Sequence, residues 1–290
     1  MMRRLPRVPQ AGTRPYTGWM GETPSVAFVG GGNMAGAIFG GLLRAGWPTV
    51  AFTVIEPGAE QRTRLAAAHP GLALLEHPGA GLGSAQVVVW AVKPQSFAQA
   101  AAACGPLVGA ALQLSVMAGV RSDAIVRATG SPRVVRAMPN TPALIGRGIA
   151  GLVARAAVSA DDRALVERVL APTGSLLWFD DESDLDAVTA LSGSGPAYAF
   201  YLIEAMVDAG TQMGLASDAA RRLAQETLAG AAALAMQSPE SPATLRERVT
   251  SKGGTTHAAI SSLQADGVQA AFVRALLAAQ RRAQELGHAP

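Results

Sequence analysis

Cysteine is almost missing from this chain. Cys104 is the single one in 290 residues, which excludes an intrachain disulfide and a cysteine-based metal cluster. The four histidines, His69, His77, His257 and His288, are scattered without metal-ligand spacing, so no metal is expected. Charged residues are scarce at 16% and aromatics at 5%, while alanine and glycine fill much of the remainder, a composition suited to close-packed helices and tight turns. A basic face is missing as well. The formal charge of +3 rests on Arg3, Arg4, Arg7 and Arg14, and without them the rest of the chain is one unit negative, which excludes a nucleic-acid partner. Long apolar runs are also absent. The first 24 residues carry Pro6, Pro9, Pro15 and Pro24 among glycines, and no hydrophobic segment of the kind a signal peptide needs. Residues 1–24 therefore read as a leader outside the fold, either a disordered tail or a stretch upstream of a true start at Met20. The most apolar helix candidate, 197–215, carries Glu204, Asp208 and Gln212 on one face, which suits a soluble helix and not a membrane span. A cytoplasmic protein without membrane contact is expected.

What is present begins with an α/β pattern. Val26-Ala27-Phe28-Val29 reads as a short buried strand, and it runs into Gly30-Gly31-Gly32-Asn33-Met34-Ala35-Gly36 and then a helix-like stretch to Arg44. Gly30, Gly32 and Ala35 fit the dinucleotide fingerprint in its strand–turn–helix context: a tight turn, a close backbone approach to pyrophosphate, and close helix–sheet packing. A second strand, 50–55, ends at Glu56. An acid there accepts hydrogen bonds from the 2′-hydroxyl of NADH and repels the 2′-phosphate of NADPH, while Arg62 and Arg64 follow closely enough to bind that phosphate. Glu56 thus leans toward NADH with NADPH still open. The apolar run 87–92 reads as a parallel strand covered on both faces, ending in Lys93-Pro94 where such sheets bind ligands. Further strands are expected at 112–117, 133–137, 149–153 and 175–179, with helices at 122–128 and 161–170. Met138-Pro139-Asn140-Thr141-Pro142 is too rich in proline for a helix or central strand and reads as a shaped loop at a strand end.

After about residue 182 the strand pattern stops. A short helix at 184–191 is broken by Ser192-Gly193-Ser194-Gly195-Pro196, with Pro196 opening the next helix and the hydroxyl of Ser194 free to meet a ligand. Ser217 and Ser241-Pro242 are read as caps of further helices. Ser251-Lys252-Gly253-Gly254-Thr255-Thr256 precedes a last helix, with Thr255 or Thr256 as its N-cap and a break at Gly267. Free amides, hydroxyls and glycines together form a cradle for a small anion. The fold class is therefore α/β: a Rossmann-type doubly wound sheet over 25–182, then an all-helical substrate-binding and dimerisation domain over 183–290. So much apolar surface on a small helical domain predicts a homo-oligomer built from dimers.

Acid–base groups are lacking around these loops, which suits a substrate that brings its own electrophile: an iminium carbon needs a hydride and a carboxylate anchor to orient it. Together, the Gly-Gly-Gly-Asn-Met-Ala run, Ala91-Val92-Lys93-Pro94, Arg136–Pro142, Ser192–Tyr198 and Ser251–Thr256 resemble pyrroline-5-carboxylate reductase, over about residues 25–287 and in the family's order. The resemblance implies reduction of 1-pyrroline-5-carboxylate to L-proline with NADPH or NADH, the last step of proline biosynthesis. It implies pyrophosphate on Gly30, Gly32, Asn33, Met34 and Ala35, and nicotinamide near Ala91, Val92, Lys93, Pro94 and Asn140. The substrate carboxylate would lie on Ser251, Gly254, Thr255 and Thr256, in a pocket at a dimer interface, with the Thr256 hydroxyl bonded to the ring nitrogen. Lys252 departs from the family, where proline is common, and Glu56 departs from its NADPH-preferring members. A β-hydroxyacid dehydrogenase is the alternative, since it shares the domain plan; it places a catalytic lysine on a helix of the second domain, whereas Lys252 is the only lysine after Lys93 and sits in a glycine loop. A dinucleotide-sensing protein on the same scaffold would bind cofactor without turnover.

Overall fold

The structure is a computed structural model and describes residues 23–288, so the expected leader falls outside the described residues apart from its last two positions. Eight strands form one sheet: β1 (Val26–Val29), β2 (Phe52–Ile55), β3 (Ala73–Leu75), β4 (Val87–Trp90), β5 (Leu112–Ser115), β6 (Val134–Met138), β7 (Gly148–Ala154) and β8 (Gly174–Trp178). Their order is β3-β2-β1-β4-β5-β6-β7-β8, parallel throughout except for the β6–β7 pair. Helices α1 (Asn33–Arg44), α2 (Ala59–Ala68), α3 (Phe97–Cys104), α4 (Ser122–Thr129) and α5 (Ala160–Leu170) alternate with the strands. The continuous apolar runs of β1 and β4 now have a cause. Alternate residues of a strand face opposite ways. Val26, Phe28, Val87 and Val89 join Ile38, Phe39 and Leu42 of α1 on one face. Ala27, Val29, Val88 and Trp90 join Cys104 and Ile125 on the other. Full burial of a large apolar side chain contributes about 1.5–3 kcal/mol, so both faces stabilise the sheet.

The structure differs from the expectations at three places, one of them a strand absent from those expectations. Strand β3 has only three residues, none of them buried, so it carries no hydrophobic signature in sequence. Strand β2 starts at Phe52 and not at 50, because Thr49–Ala51 form a 3-10 turn. The helix expected at 184–191 is α6 (Asp184–Val188) continued by a π turn, Thr189–Gly193.

The described chain divides into two compact units, one of residues up to Gly193 together with those from Ala283 onward, the other Ser194–Arg282. The second unit is helical: α7 (Gly195–Gln212), α8 (Ser217–Gln237), α9 (Pro242–Arg248), α10 (Thr255–Ala265) and α11 (Val268–His288), whose last turns belong to the first unit. Gly210 of α7 lies so near Ala220 of α8 that an added Cβ would sit 2.8 Å from the alanine Cβ, the close approach small residues permit. Ser241 caps α9 by accepting from the Thr244 amide at 3.1 Å. Ser217 does not cap α8, being its first helical residue after an Ala216 cap position. Gly267 takes φ +64 at the break between α10 and α11. Phe200, Tyr201, Leu223, Leu234 and Phe272 stand more than half exposed on this unit. No described helix is long and apolar enough to cross a membrane.

Candidate active site

Strand register assembles one candidate segment, at the edge of the sheet. Val29 pairs with Ile55 and with Trp90, and Trp90 pairs with Ser115, so four strand ends finish in line. The residues that follow, Gly30, Glu56, Ala91 and Val116, stand side by side at the carboxyl edge. Strand order reverses between β1 and β4, and open α/β sheets bind ligands at such a switch point. Gly30 turns the chain there with φ +99, and an added Cβ would lie 2.8 Å from the Ala91 carbonyl oxygen. Around Gly32 the opposite holds, since a Cβ would meet nothing within 4 Å. Gly32 is also the N-cap of α1 and offers no side-chain bond to it, so the first-turn amides of Asn33, Met34 and Ala35 are left for an outside acceptor. Ala35 is fully buried against the sheet. An open cradle of amides with a turn glycine fits a dinucleotide pyrophosphate.

Glu56 does more at this edge than a solvated strand end would. Its carboxylate accepts from the Gly31 amide and from the Gly58 amide, each at 2.9 Å. Gln61 Nε2 donates to the Gly31 carbonyl at 2.6 Å, so the two peptides that flank Gly31 are both held. Arg62 is not free for a 2′-phosphate as expected: it donates to the Glu56 and Pro57 carbonyls and pairs with Glu76 at 2.8 Å. Arg64 is exposed, bonded to Gln61 and 3.3 Å from Glu60. Ala91 and Val92 are half-buried, and Lys93 and Pro94 are exposed.

Strand β6 ends at the same edge with Met138, and Asn140 follows as the N-cap of the 3-10 turn Thr141–Ile145. Asn140 Oδ1 accepts from the Ile149 amide and Nδ2 donates to the Ser192 carbonyl, both at 3.1 Å. Beneath this edge lies a charged cluster that no spacing in the sequence announced. Glu182 accepts from the Ser122 amide and hydroxyl, each at 2.7 Å, and from Arg136 at 2.8 Å. Arg121 pairs with Asp186 at 2.7 Å. Burial pushes the Glu182 carboxyl upward, but the bonds from Ser122 and Arg136 outweigh it and hold the group below the usual carboxylate range. Burial lowers the Arg136 guanidinium, which Glu182 partly offsets, and its Nε is buried with no hydrogen-bond partner. Partners 46 and 60 residues apart leave no local pattern to find.

A separate candidate segment lies in the helical unit. The Gly254 amide returns to the Ser251 carbonyl at 3.0 Å, closing a turn in which Gly253 takes φ +76. The positive φ favours glycine at 253, while an added Cβ on Gly254 would meet Ser251 Oγ at 2.7 Å and force that hydroxyl to move. Gly254, and neither threonine, is the N-cap of α10; Thr255 and Thr256 are its first two residues. With no side-chain cap, the first-turn amides remain for a ligand beside the half-buried Thr256 hydroxyl. Lys252 is exposed in the turn. Ser194 is the N-cap of α7 without a capping bond from its side chain, and space around Gly195 is open. Among the described residues no group of three or more His, Cys, Asp or Glu side chains is placed to hold a metal ion. A groove of about 400 Å³ between α3 and α4, lined by alanines, Phe97, Pro106 and Arg127, lacks converging polar groups.

The chain is similar to known proteins along most of its length. The pyrroline-5-carboxylate reductase dimerisation profile matches residues 182–286, and an NADP oxidoreductase, coenzyme F420-dependent, profile matches 25–119. The chain is 46% identical to a pyrroline-5-carboxylate reductase of Pseudomonas aeruginosa over 91% of this chain and 97% of the relative. It is 40% identical to the Haemophilus influenzae enzyme of that name, over 90% and 97%. Among solved structures, a pyrroline-5-carboxylate reductase from Coxiella burnetii superposes with a TM-score of 0.85 at 34% identity, over 92% of this chain and 100% of the other. The Plasmodium falciparum pyrroline carboxylate reductase, solved with NADP bound, gives 0.81 at 25% identity over 92% and 99%. With 46% identity along nearly its whole length to one such relative, and the dimerisation profile over residues 182–286, the chain belongs to the pyrroline-5-carboxylate reductase family.

Proposed function

We propose that this protein reduces 1-pyrroline-5-carboxylate to L-proline with a nicotinamide cofactor, the last step of proline biosynthesis. The observation that carries the reading is an open phosphate cradle at Gly30–Ala35 in the same chain as an uncapped, hydroxyl-flanked helix start at Ser251–Thr256. Bound nicotinamide supplies a hydride. The residues supply binding and orientation. Gly30, Gly32 and the amides of Asn33, Met34 and Ala35 hold the pyrophosphate; Ala91–Pro94 and the Met138–Thr141 loop border the nicotinamide. Ser251, with the amides of Thr255 and Thr256 past Gly254, holds the substrate carboxylate, and Ser194 lines the same substrate. The Thr256 hydroxyl would donate to the lone pair that forms on the ring nitrogen as hydride reaches the imine carbon. No acid–base residue is required, because the protonated imine is already an electrophile.

Glu56 favours NADH. Its carboxylate stands where the 2′-phosphate of NADPH would bring a second anion, and Arg62, which would offset that charge, is held by two carbonyls and Glu76. The exposed apolar side chains of α7, α8 and α11 are the surface on which two copies pair, in an oligomer built from dimers. With a single buried, unpaired cysteine, a cytoplasmic setting fits. The test is direct: purified protein and 1-pyrroline-5-carboxylate, with loss of NADH or NADPH followed optically. Turnover with a higher kcat/KM for NADH is expected. No oxidation of either cofactor would sink the assignment, and activity on a 3-hydroxy acid in its place would favour the dehydrogenase alternative. The exposed turn that holds Lys252 speaks against the latter.

A further inference from the structure

We propose that Asn140 is a positioning residue: its side-chain amide ties the loop after β6 to the π turn Thr189–Gly193 and so fixes the backbone at the carboxyl edge of the sheet. Asparagine is among the strongest helix N-caps, and Asn140 occupies the N-cap position of a 3-10 turn. Yet its side chain makes no bond to that turn's own amides; only its backbone carbonyl accepts from Ala143, at 3.1 Å. Its carbonyl oxygen accepts from Ile149 at the start of β7, and its NH2 donates to Ser192, 52 residues away. Partner chemistry fixes the orientation of the amide, because a backbone N–H can only donate and a carbonyl can only accept. The residue forgoes a local bond for two distant ones.

A second contact converges on the same turn. Met138 ends β6, and Asn140 two residues on has extended backbone. Both reach the π turn: an added Cβ on Gly193 would lie 2.6 Å from Met138 Cε, while Asn140 holds the carbonyl of the residue before it. π turns leave irregular backbone and recur at functional sites. Here one side chain sets the turn's distance and the other its peptide orientation. The proposal rests on the reading that the Met138–Thr141 loop borders the nicotinamide. It assigns Asn140 an effect on the geometry of reaction and no hydrogen bond from its amide to the cofactor.

Asn140→Asp is the deciding variant. It is nearly isosteric and keeps the acceptor for Ile149, but it sets a carboxylate oxygen against the Ser192 carbonyl. Expected are a fall in kcat of about ten- to a hundredfold, an unchanged dissociation constant for the nicotinamide cofactor, and faster hydrogen exchange over residues 189–195. Asn140→Ala should lose as much kcat; if it fails to fold, the aspartate variant alone decides. A loss confined to cofactor affinity would make Asn140 a cofactor ligand and overturn the proposal. Wild-type kcat, or unchanged exchange at 189–195, would overturn it equally. A wild-type protein inactive on the imine would instead remove the assigned reaction, and the exchange comparison would still decide the tie.

Discussion

Glu56 carries two tasks with one carboxylate, and they respond differently to substitution. Its oxygens receive the Gly31 and Gly58 amides, and hydrogen bonds to a charged group contribute roughly 1.5–3 kcal/mol each. Its charge also opposes a 2′-phosphate. Glu56→Ser removes both, so KM should rise for both cofactors while the ratio of kcat/KM values shifts toward NADPH by about tenfold, the equivalent of one to two kcal/mol of charge repulsion. Glu56→Gln keeps one acceptor oxygen and should restore part of the KM without restoring the NADH preference. Steady-state kinetics with both cofactors checks this; an unmoved ratio would discard Glu56 as the discriminating residue. Nothing in the sequence announced the grip on Gly31, since residues 25 apart meet only through the β1–β2 register.

At the scale of elements, helix starts divide into those closed by a side chain and those left open. Ser159 closes α5 with a reciprocal capping box, and Ser241 closes α9. Helices α1, α7 and α10 begin at Gly32, Ser194 and Gly254 with no side-chain cap. These three open starts coincide with segments expected to meet cofactor or substrate, whereas α2, α3 and α8, which also lack a side-chain cap, coincide with none. Ser241→Ala should therefore lower stability by about 1 kcal/mol, the usual worth of a cap, with kcat nearly unchanged. Thr256→Ala removes no cap and should leave the melting temperature near wild type while kcat/KM for the imine falls by about a hundredfold and cofactor affinity holds. Paired thermal melts and kinetics separate the two classes. A destabilised Thr256→Ala protein with normal turnover would return Thr256 to the scaffold.

For the whole molecule, the acid limb of stability is set by carboxylates tied to arginines across the sheet. Asp162 is held low chiefly by Arg133, with burial opposing, and also accepts from Ser159; Glu182 is held low by Ser122 and Arg136 against its burial. A carboxyl whose folded pKa lies below its unfolded value stabilises the fold above the unfolded value, about 4. That stability is lost as pH falls through the lower, folded value. Melting temperature should therefore stay flat from neutral pH to about 5 and fall steeply below about 4. Glu182→Gln should flatten part of that fall and cost about 3 kcal/mol at neutral pH, because the buried Arg136 loses its counter-charge. Melts across the acid range test this, and an unaltered acid limb in the variant would exclude Glu182 as a contributor.

Period-two and period-3.6 patterns, glycine spacing and proline placement are local, and so the sequence by itself determined the doubly wound half, the helical half, the Gly30–Ala35 cradle and the Ser251–Thr256 turn. The three-residue strand β3 escaped because it buries nothing, and the caps of α8 and α10 were misplaced by a residue or two because serine and threonine serve equally well inside the first turn. Tertiary structure alone decided what Glu56, Arg62, Asn140 and Glu182 touch. Glu56, Asn140 and Glu182 meet partners on other segments, and Arg62 meets Glu76 on the far side of β3; a hydrogen bond over such a separation leaves no periodicity to read.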